Sequence, residues 1–208
     1  ELAERAGLSR PEDLPLRGAV DVTLGTLSYR SHTLSDVSAR LVLSDSALTV
    51  EGAELTSWDG SVRVDLHLGV GTRVDEPFAL SLETEGADAR AFFSAMTPVG
   101  EAVSGRLDLD LELEGTTDES LLPLLESLSG RGTVIVSGGE VAGTGINLAL
   151  ADFLAEERWT RIPFTEWSTE LEVAEGMLDV SVSELEGEMA SATVSGLVGL
   201  GGALDLAM

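Results

Sequence analysis

Cysteine and lysine are both absent from this sequence, and each absence removes a class of protein. Without Cys, the chain has neither a disulfide framework nor a thiolate metal site. Without Lys, its 12 basic residues are all Arg and face 37 acidic residues, so the formal net charge is -25. This charge excludes the basic surface that nucleic acids require, and it argues against docking on an anionic lipid surface.

Long hydrophobic runs and aromatic residues are scarce as well. No stretch approaches the roughly 20 apolar residues of a transmembrane helix, and no signal-peptide pattern opens the chain. With three Trp, one Tyr, one Asn and no Gln, the chain lacks the residues that stack on sugars and hydrogen-bond their hydroxyls. We expect Trp58, Trp159 and Trp167 to serve packing, the latter two around a helix.

The residue types of active sites are present without the spacing that chemistry needs. No Cys or Lys nucleophile exists, and no Ser lies in a G-x-S-x-G turn. Gly143 and Gly145 precede no phosphate-binding Lys. The two histidines, His32 and His67, lack ligand partners at a metal-like spacing, so we expect them on a surface turn and a solvent-facing strand position.

Four carboxylates, Asp108, Asp110, Glu112 and Glu114, alternate along one segment. Neighbours at this spacing lie about 6 to 7 Å apart on one strand face, but no Ca²⁺-loop pattern accompanies them. A solvated sheet face explains them better. The sequence therefore predicts a protein that is not an enzyme, with no catalytic residues, no metal and no cofactor.

Strict apolar/polar alternation recurs along the chain and predicts roughly eleven strands with one buried face each. Short turn signals such as Asp59-Gly60 and Glu175-Gly176 separate them, too short for parallel crossovers. We predict a mainly β fold: a curved antiparallel meander forming a groove or flattened barrel. An ordinary dry sandwich or closed barrel core has the same alternation, so the pattern alone leaves that alternative open.

Three segments break the period of two and predict short amphipathic helices. Asp88 can cap the first, which carries Phe92, Phe93 and Met96. Pro123 suits the first turn of the second, with Leu121, Leu125 and Leu128 on one face. The third runs from about Gly145 to near Trp159, with Ile146, Leu150, Phe153 and Leu154 at helical spacing. Each is expected to cover part of the sheet.

An internal repeat organises the chain. Residues 37–70 align without a gap on residues 167–200, an offset of 130 positions, so that Leu41 meets Leu171 and Val64 meets Val194. We therefore predict a linker or fragment start over 1–16, a first β module with two helices over 17–130, and a second, related module with one helix over 131–208.

Several motifs resemble the AsmA-like family of envelope proteins, within the AsmA/TamB/YhdP superfamily. The run Gly130-Arg131-Gly132 is followed by Val134 and Val136, then by Gly139-Glu140-Val141-Ala142-Gly143, Ile146 and a short helix. Pro163-Phe164-Thr165-Glu166 and Glu175-Gly176-Met177-Leu178 follow, and Leu27-Ser28-Tyr29 with Leu34-Ser35-Asp36-Val37 is similar to the family's upstream module. The resemblance covers nearly the whole chain.

The resemblance implies a periplasmic segment of a Gram-negative envelope protein, with an inner-membrane anchor outside this fragment. It implies a β-groove that binds and transfers phospholipid in outer-membrane biogenesis, and it supplies no catalytic residues. Expected partners are phospholipid acyl chains and other envelope proteins. The alternative is a structural or protein-interaction module of envelope assembly without lipid transport. Lipid-facing candidates are Leu41, Leu43, Leu48, Val50, Val64, Leu66, Leu171, Val173, Leu178, Val180 and Val194.

Overall fold

The computed structural model describes residues 17–29, 32–70, 75–96, 100–200 and 204–207, so the predicted linker over 1–16 lies outside the described residues. Eleven strands form one sheet. They are β1 (Gly18–Tyr29), β2 (His32–Leu43), β3 (Ala47–Ser57), β4 (Gly60–Gly69), β5 (Glu76–Asp88), β6 (Val103–Thr117), β7 (Ser129–Ala142), β8 (Arg161–Ala174), β9 (Met177–Glu186), β10 (Ser191–Gly199) and β11 (Leu204–Ala207).

Every strand pairs antiparallel with the strand that follows it in the chain, and the spatial order is the sequence order from β1 to β11. This confirms the predicted antiparallel meander. Within the described residues β1 pairs only with β2 and β11 only with β10, so the sheet is open and the predicted flattened barrel is wrong. None of the helices in this part of the chain has the length and apolar character needed to span a bilayer.

Two α-helices interrupt the meander: α1 (Ala89–Met96) between β5 and β6, and α2 (Gly145–Leu154) between β7 and β8. Asp88 caps α1 as predicted, because its side chain accepts a hydrogen bond of 2.8 Å from the backbone N–H of Ala91. Thr144 caps α2 in the same way and accepts from the N–H of Asn147 at 3.1 Å. Ala155 ends α2 in the left-handed conformation.

The helix predicted at Pro123 does not form. Leu121 has a φ of 61°, which no α-helix accommodates. The side chain of Asp118 accepts the backbone N–H groups of Ser120 and Leu122 at 2.7 and 3.0 Å, closing a tight turn. Pro123 then bridges to Thr117, and only a three-residue 3₁₀ turn follows at Leu125–Ser127.

The helix α2 covers less than predicted. Among the side chains of α2 that the structure describes, Asn147 and Ala151 are buried, whereas Phe153 is 85% exposed and Leu154 is 42% exposed. The side-chain amide of Asn147 donates to the carbonyls of Val141 and Trp159 at 3.4 and 3.3 Å and so ties the helix to the strand ends. A polar anchor, not an apolar stripe, positions α2.

Two apolar clusters lie near opposite ends of the strands. Cluster 1 sits under α1 and includes Ala87, Ala89, Phe92, Leu107, Leu109, Val136 and Phe164. Trp58 packs edge-on against Phe92 with 5.0 Å between ring centroids, and Trp167 also contacts this cluster. Cluster 2 consists of Phe78, Leu128 and Val173, with Leu128 supplied by the link between β6 and β7.

The repeat has a counterpart in the pairing register. Strand β3 pairs Val50 with Leu66 and, after a bulge, Ala53 with Val64. The residues 130 positions further along make the same two pairings between β9 and β10, with a bulge at the same place. The structure does not separate the two halves, since β6 and β7 pair continuously, and the division into two modules stays a prediction.

Thr84 is a polar residue in an apolar setting, and it yields a prediction. Its side chain is 1% exposed, and its hydroxyl has no hydrogen-bond partner among the described residues. An unsatisfied buried hydroxyl costs free energy that an isosteric methyl avoids. We expect Thr84→Val to raise the free energy of unfolding by about 1 kcal/mol, measured by urea denaturation. Thr133→Val, at an exposed position, should leave it unchanged; equal effects would contradict the prediction.

Candidate functional site: the apolar face of the sheet

A continuous row of directly paired residues crosses the sheet from edge to edge. We call it the central row, and the side of the sheet that carries it the apolar face. Every member is apolar or glycine: Val20, Leu41, Val50, Leu66, Leu80, Leu113, Gly130, Val173, Leu178, Val198 and Leu204. Side chains of directly paired residues lie on the same side of a sheet, so one apolar surface spans strands β1 to β10.

The register brings all the predicted lipid-facing residues onto this face. Five of them belong to the central row, five others lie two positions along a strand from it, and Val194 lies four positions from Val198 on the same side of β10. Val173 is buried and the remaining ten are half-buried.

Part of the apolar face is covered and part is not. Val173, Leu66 and Leu178 belong to cluster 2 or pack against it, so their role includes holding the sheet together. Neither cluster includes Val64 or Leu171 or packs against them. The same holds for Leu41, Leu43, Leu48, Val50, Val180 and Val194. These eight half-buried residues form two patches, one on β2 to β4 and one on β8 to β10, and together we call them the open band of the apolar face.

Two glycines of β7 shape the middle of this face. A Cβ built on Gly130 would lie 2.1 Å from the carbonyl oxygen of Glu112 and 2.8 Å from Leu113 Cδ2. A Cβ on Gly132 would lie 2.9 Å from the carbonyl oxygen of Asp110 and 3.0 Å from Leu111 Cδ1. The strands β6 and β7 therefore approach closely, and the two Leu side chains cover the glycines. The sequence alone identifies Gly130 and Gly132 only as part of a motif and does not predict this close approach of the strands.

The apolar face also carries polar residues that alternation did not reveal. Thr169 pairs with Ser183, and Ser183 with Val194, which places both hydroxyls on the apolar face. The two oxygens lie 2.9 Å apart, and Trp167 Nε1 donates to the Ser183 hydroxyl at 2.8 Å. Each hydroxyl is therefore hydrogen-bonded on the apolar face.

Bulges decide which residues of β3 and β9 reach the apolar face. The extra residues are Glu51 and Gly52 in β3 and Ser181 and Val182 in β9. Val182 continues the alternation of Val180 in the sequence, yet the bulge turns it to the opposite side, where it pairs with Glu170 and is 41% exposed. A bulge shifts the side-chain period by one residue. Gly52, with a φ of 54°, is a local signal for the bulge in β3, whereas β9 contains no glycine.

The opposite face is polar and predominantly acidic. Arg63 donates to Glu54 and Glu83 at 3.0 and 3.2 Å, and Arg131 to Glu112 at 2.8 Å. The hydrogen bond with Glu54 raises the pKa of Arg63, and the charges of Glu54 and Glu83 add to it. These pairs are solvent-exposed, so each contributes little to stability.

A concavity of about 990 Å³ spans strands β3 to β9, and most of its lining residues belong to the polar face. Asp65, Glu112, Glu170 and Glu172 line it together with Arg131.

The predicted carboxylates Asp108, Asp110, Glu112 and Glu114 are all exposed, in agreement with a solvated face. His67 is half-buried, its Nδ1 lying 3.2 Å from the Thr49 hydroxyl, whereas the side chain of His32 lies outside the described residues. Within the described ranges no group of three or more His, Asp and Glu is arranged to hold a metal.

No protein-family model matches the chain, and no curated protein or solved structure is significantly similar to it.

Proposed function

We propose that this chain is a lipid-binding and lipid-transferring β segment of an AsmA-like envelope protein, acting in the periplasm in outer-membrane biogenesis. One observation carries the proposal: an apolar row crosses the whole sheet, and an open band of half-buried Val and Leu side chains lies beside it. The motifs that resemble the AsmA-like family supply the location, and the parent protein would be anchored in the inner membrane.

A single-layer sheet with one apolar face needs something to cover it. In this chain α1 and the link between β6 and β7 cover the two clusters, and the open band is left over. Strands of ten residues are about 33 Å long, which exceeds the length of an extended acyl tail. The band consists of Leu and Val, aliphatic side chains that match hydrocarbon in polarity and lack groups that compete for hydrogen bonds.

The proposed mechanism is solvation of the acyl chains. Each CH₂ group that leaves water for an apolar surface contributes about 0.8 kcal/mol, so a tail can be held without any specific contact. The acyl chains would lie on the open band, and the headgroup would remain at an edge of the sheet in water. The concavity described above lies mostly on the polar face, so the sheet would have to bend toward its apolar face to enclose the tails. Exchange of the tails would need no covalent step.

The second candidate is a structural or protein-interaction module of envelope assembly, in which a protein surface covers the open band. Both candidates use the same residues, but they differ in what accompanies the purified protein. A lipid carrier should retain hydrocarbon through purification, and an assembly module should not.

The proposal is tested by mass spectrometry of lipids extracted from the purified intact chain, followed by titration with a fluorescent phosphatidylethanolamine. We expect close to stoichiometric phospholipid, or saturable binding of the fluorescent lipid after delipidation. A chain that is free of lipid and binds none of the probe would refute lipid binding and favour the assembly module.

A further inference from the structure

The strand β1 forms a long edge of the sheet. It has 12 residues, and its pairing with β2 is continuous, without a bulge. Among the described residues no strand pairs with its other side. An edge of this length offers a row of backbone N–H and C=O groups to another strand.

The side chains of β1 are also suited to pairing with another strand. Val20 is 60% exposed and Leu24 40% exposed, and both lie on the apolar face together with half-buried Val22. Protective devices of natural edge strands, such as Lys, Pro or a bulge, are missing from β1. Its one charged residue, Asp21, accepts a hydrogen bond of 3.2 Å from Arg40 of β2, so its charge is partly offset.

The charge distribution along the chain favours a second copy of this chain as the partner of β1. Residues 17–43 contain three Arg and two Asp, whereas the chain from residue 44 onward contains seven Arg and 31 acidic residues. The excess negative charge that would drive two copies apart is therefore missing from the β1–β2 hairpin. Repulsion from the more distant carboxylates is largely screened beyond about 8 Å at physiological salt.

We propose that β1 pairs antiparallel with β1 of a second copy of this chain, around a twofold axis at Val22. This register sets Val20 opposite the partner's Leu24 and Val22 opposite the partner's Val22, and it keeps Asp21 opposite the partner's Thr23. A twofold at residue 21 would oppose the two Asp21 carboxylates, and one at residue 23 would set Val20 against the partner's Thr26. Only the register at Val22 matches all three apolar residues and avoids opposed like charges.

Pairing of this kind joins the apolar faces of both copies. The Val20 end of each central row would lie opposite the partner's Leu24, and the two apolar faces would become one surface on the same side of a joined sheet. The proposal concerns assembly and stands whether the face binds lipid or protein.

The experiment measures the mass of the intact chain by light scattering and analytical ultracentrifugation over a range of concentrations, in wild type and two double variants. Val20→Lys with Leu24→Lys opposes two pairs of like charges across the twofold. Val20→Glu with Leu24→Lys removes the same apolar side chains but opposes Glu with Lys. Both positions are exposed, so both variants should fold, which circular dichroism checks.

We expect wild type to approach the mass of two 21.7 kDa chains as concentration rises. The Lys/Lys variant should remain at one chain, and the Glu/Lys variant should dimerise at least about tenfold more tightly than the Lys/Lys variant. A wild-type mass of one chain at every concentration would overturn the proposal. So would equal dimerisation of the two variants, because the contact would then lie elsewhere or in another register.

Discussion

Replacing Leu107 with Ala should lower the free energy of unfolding by about 3 to 4 kcal/mol. Leu107 is 0% exposed and lies at the centre of cluster 1, paired with Ala87 on one side and Val136 on the other. The substitution removes the transfer free energy of the side chain and leaves a cavity beneath α1. Urea denaturation monitored by tryptophan fluorescence measures the effect, since Trp58 and Trp167 contact this cluster.

The matched control for Leu107→Ala is Val20→Ala on the edge strand, at a side chain that is 60% exposed. A surface substitution of this kind should change the free energy of unfolding by less than about 0.5 kcal/mol when it is measured at a concentration where the chain is monomeric. Because few residues in the described part of the sheet are fully buried, a large share of its stability should depend on cluster 1. A loss below about 1 kcal/mol for Leu107→Ala would contradict this assignment of the core.

Replacing Leu171 with Asp should weaken binding of the fluorescent phospholipid by at least about tenfold, since it sets a charge where hydrocarbon would lie. Leu171 pairs with Val180 on the open band and belongs to neither cluster, so the variant should still fold. The titration described above measures the affinity, and circular dichroism checks the fold.

The control for Leu171→Asp is Thr133→Asp on the neighbouring strand β7. Thr133 is exposed on the polar face, so this variant adds the same charge to the opposite side of the sheet. It should bind lipid as wild type does. If both variants lost binding equally, net charge and not the apolar face would control it; if Leu171→Asp unfolded the chain, that side chain would belong to a dry core.

The strands could be predicted because a strand with one buried face has alternating apolar and polar residues in its own sequence. Alternation such as that of Val62, Val64 and Leu66 reports a strand and its buried side without knowledge of its neighbours. Short turns then leave little choice other than sequential antiparallel pairing, so the meander follows. The face shared by Leu41, Leu66 and Leu171 could be anticipated for the same reason, strand by strand.

The remaining features depend on contacts that a local pattern does not contain. Val182 extends the alternation of β9, but the bulge before it is set by pairing with β8 and β10. The apolar residues around Pro123 have helical spacing. The side chain of Asp118 nevertheless accepts hydrogen bonds from two backbone N–H groups and holds this segment in a turn. Alternation also could not tell Leu66, which packs against cluster 2, from Val64, which does not, because coverage is decided by distant segments.

The sequential order of the strands also has a consequence for how the sheet forms and comes apart. Each strand finds its partners among its immediate neighbours in the chain, so the contacts are short in sequence separation, which favours fast folding for an all-β protein. Hairpins at the two ends have one neighbour and should detach first, while the strands around cluster 1 persist longest. Hydrogen exchange should therefore advance inward from β1 and β11, as it does in linear repeat arrays and not in cooperative barrels.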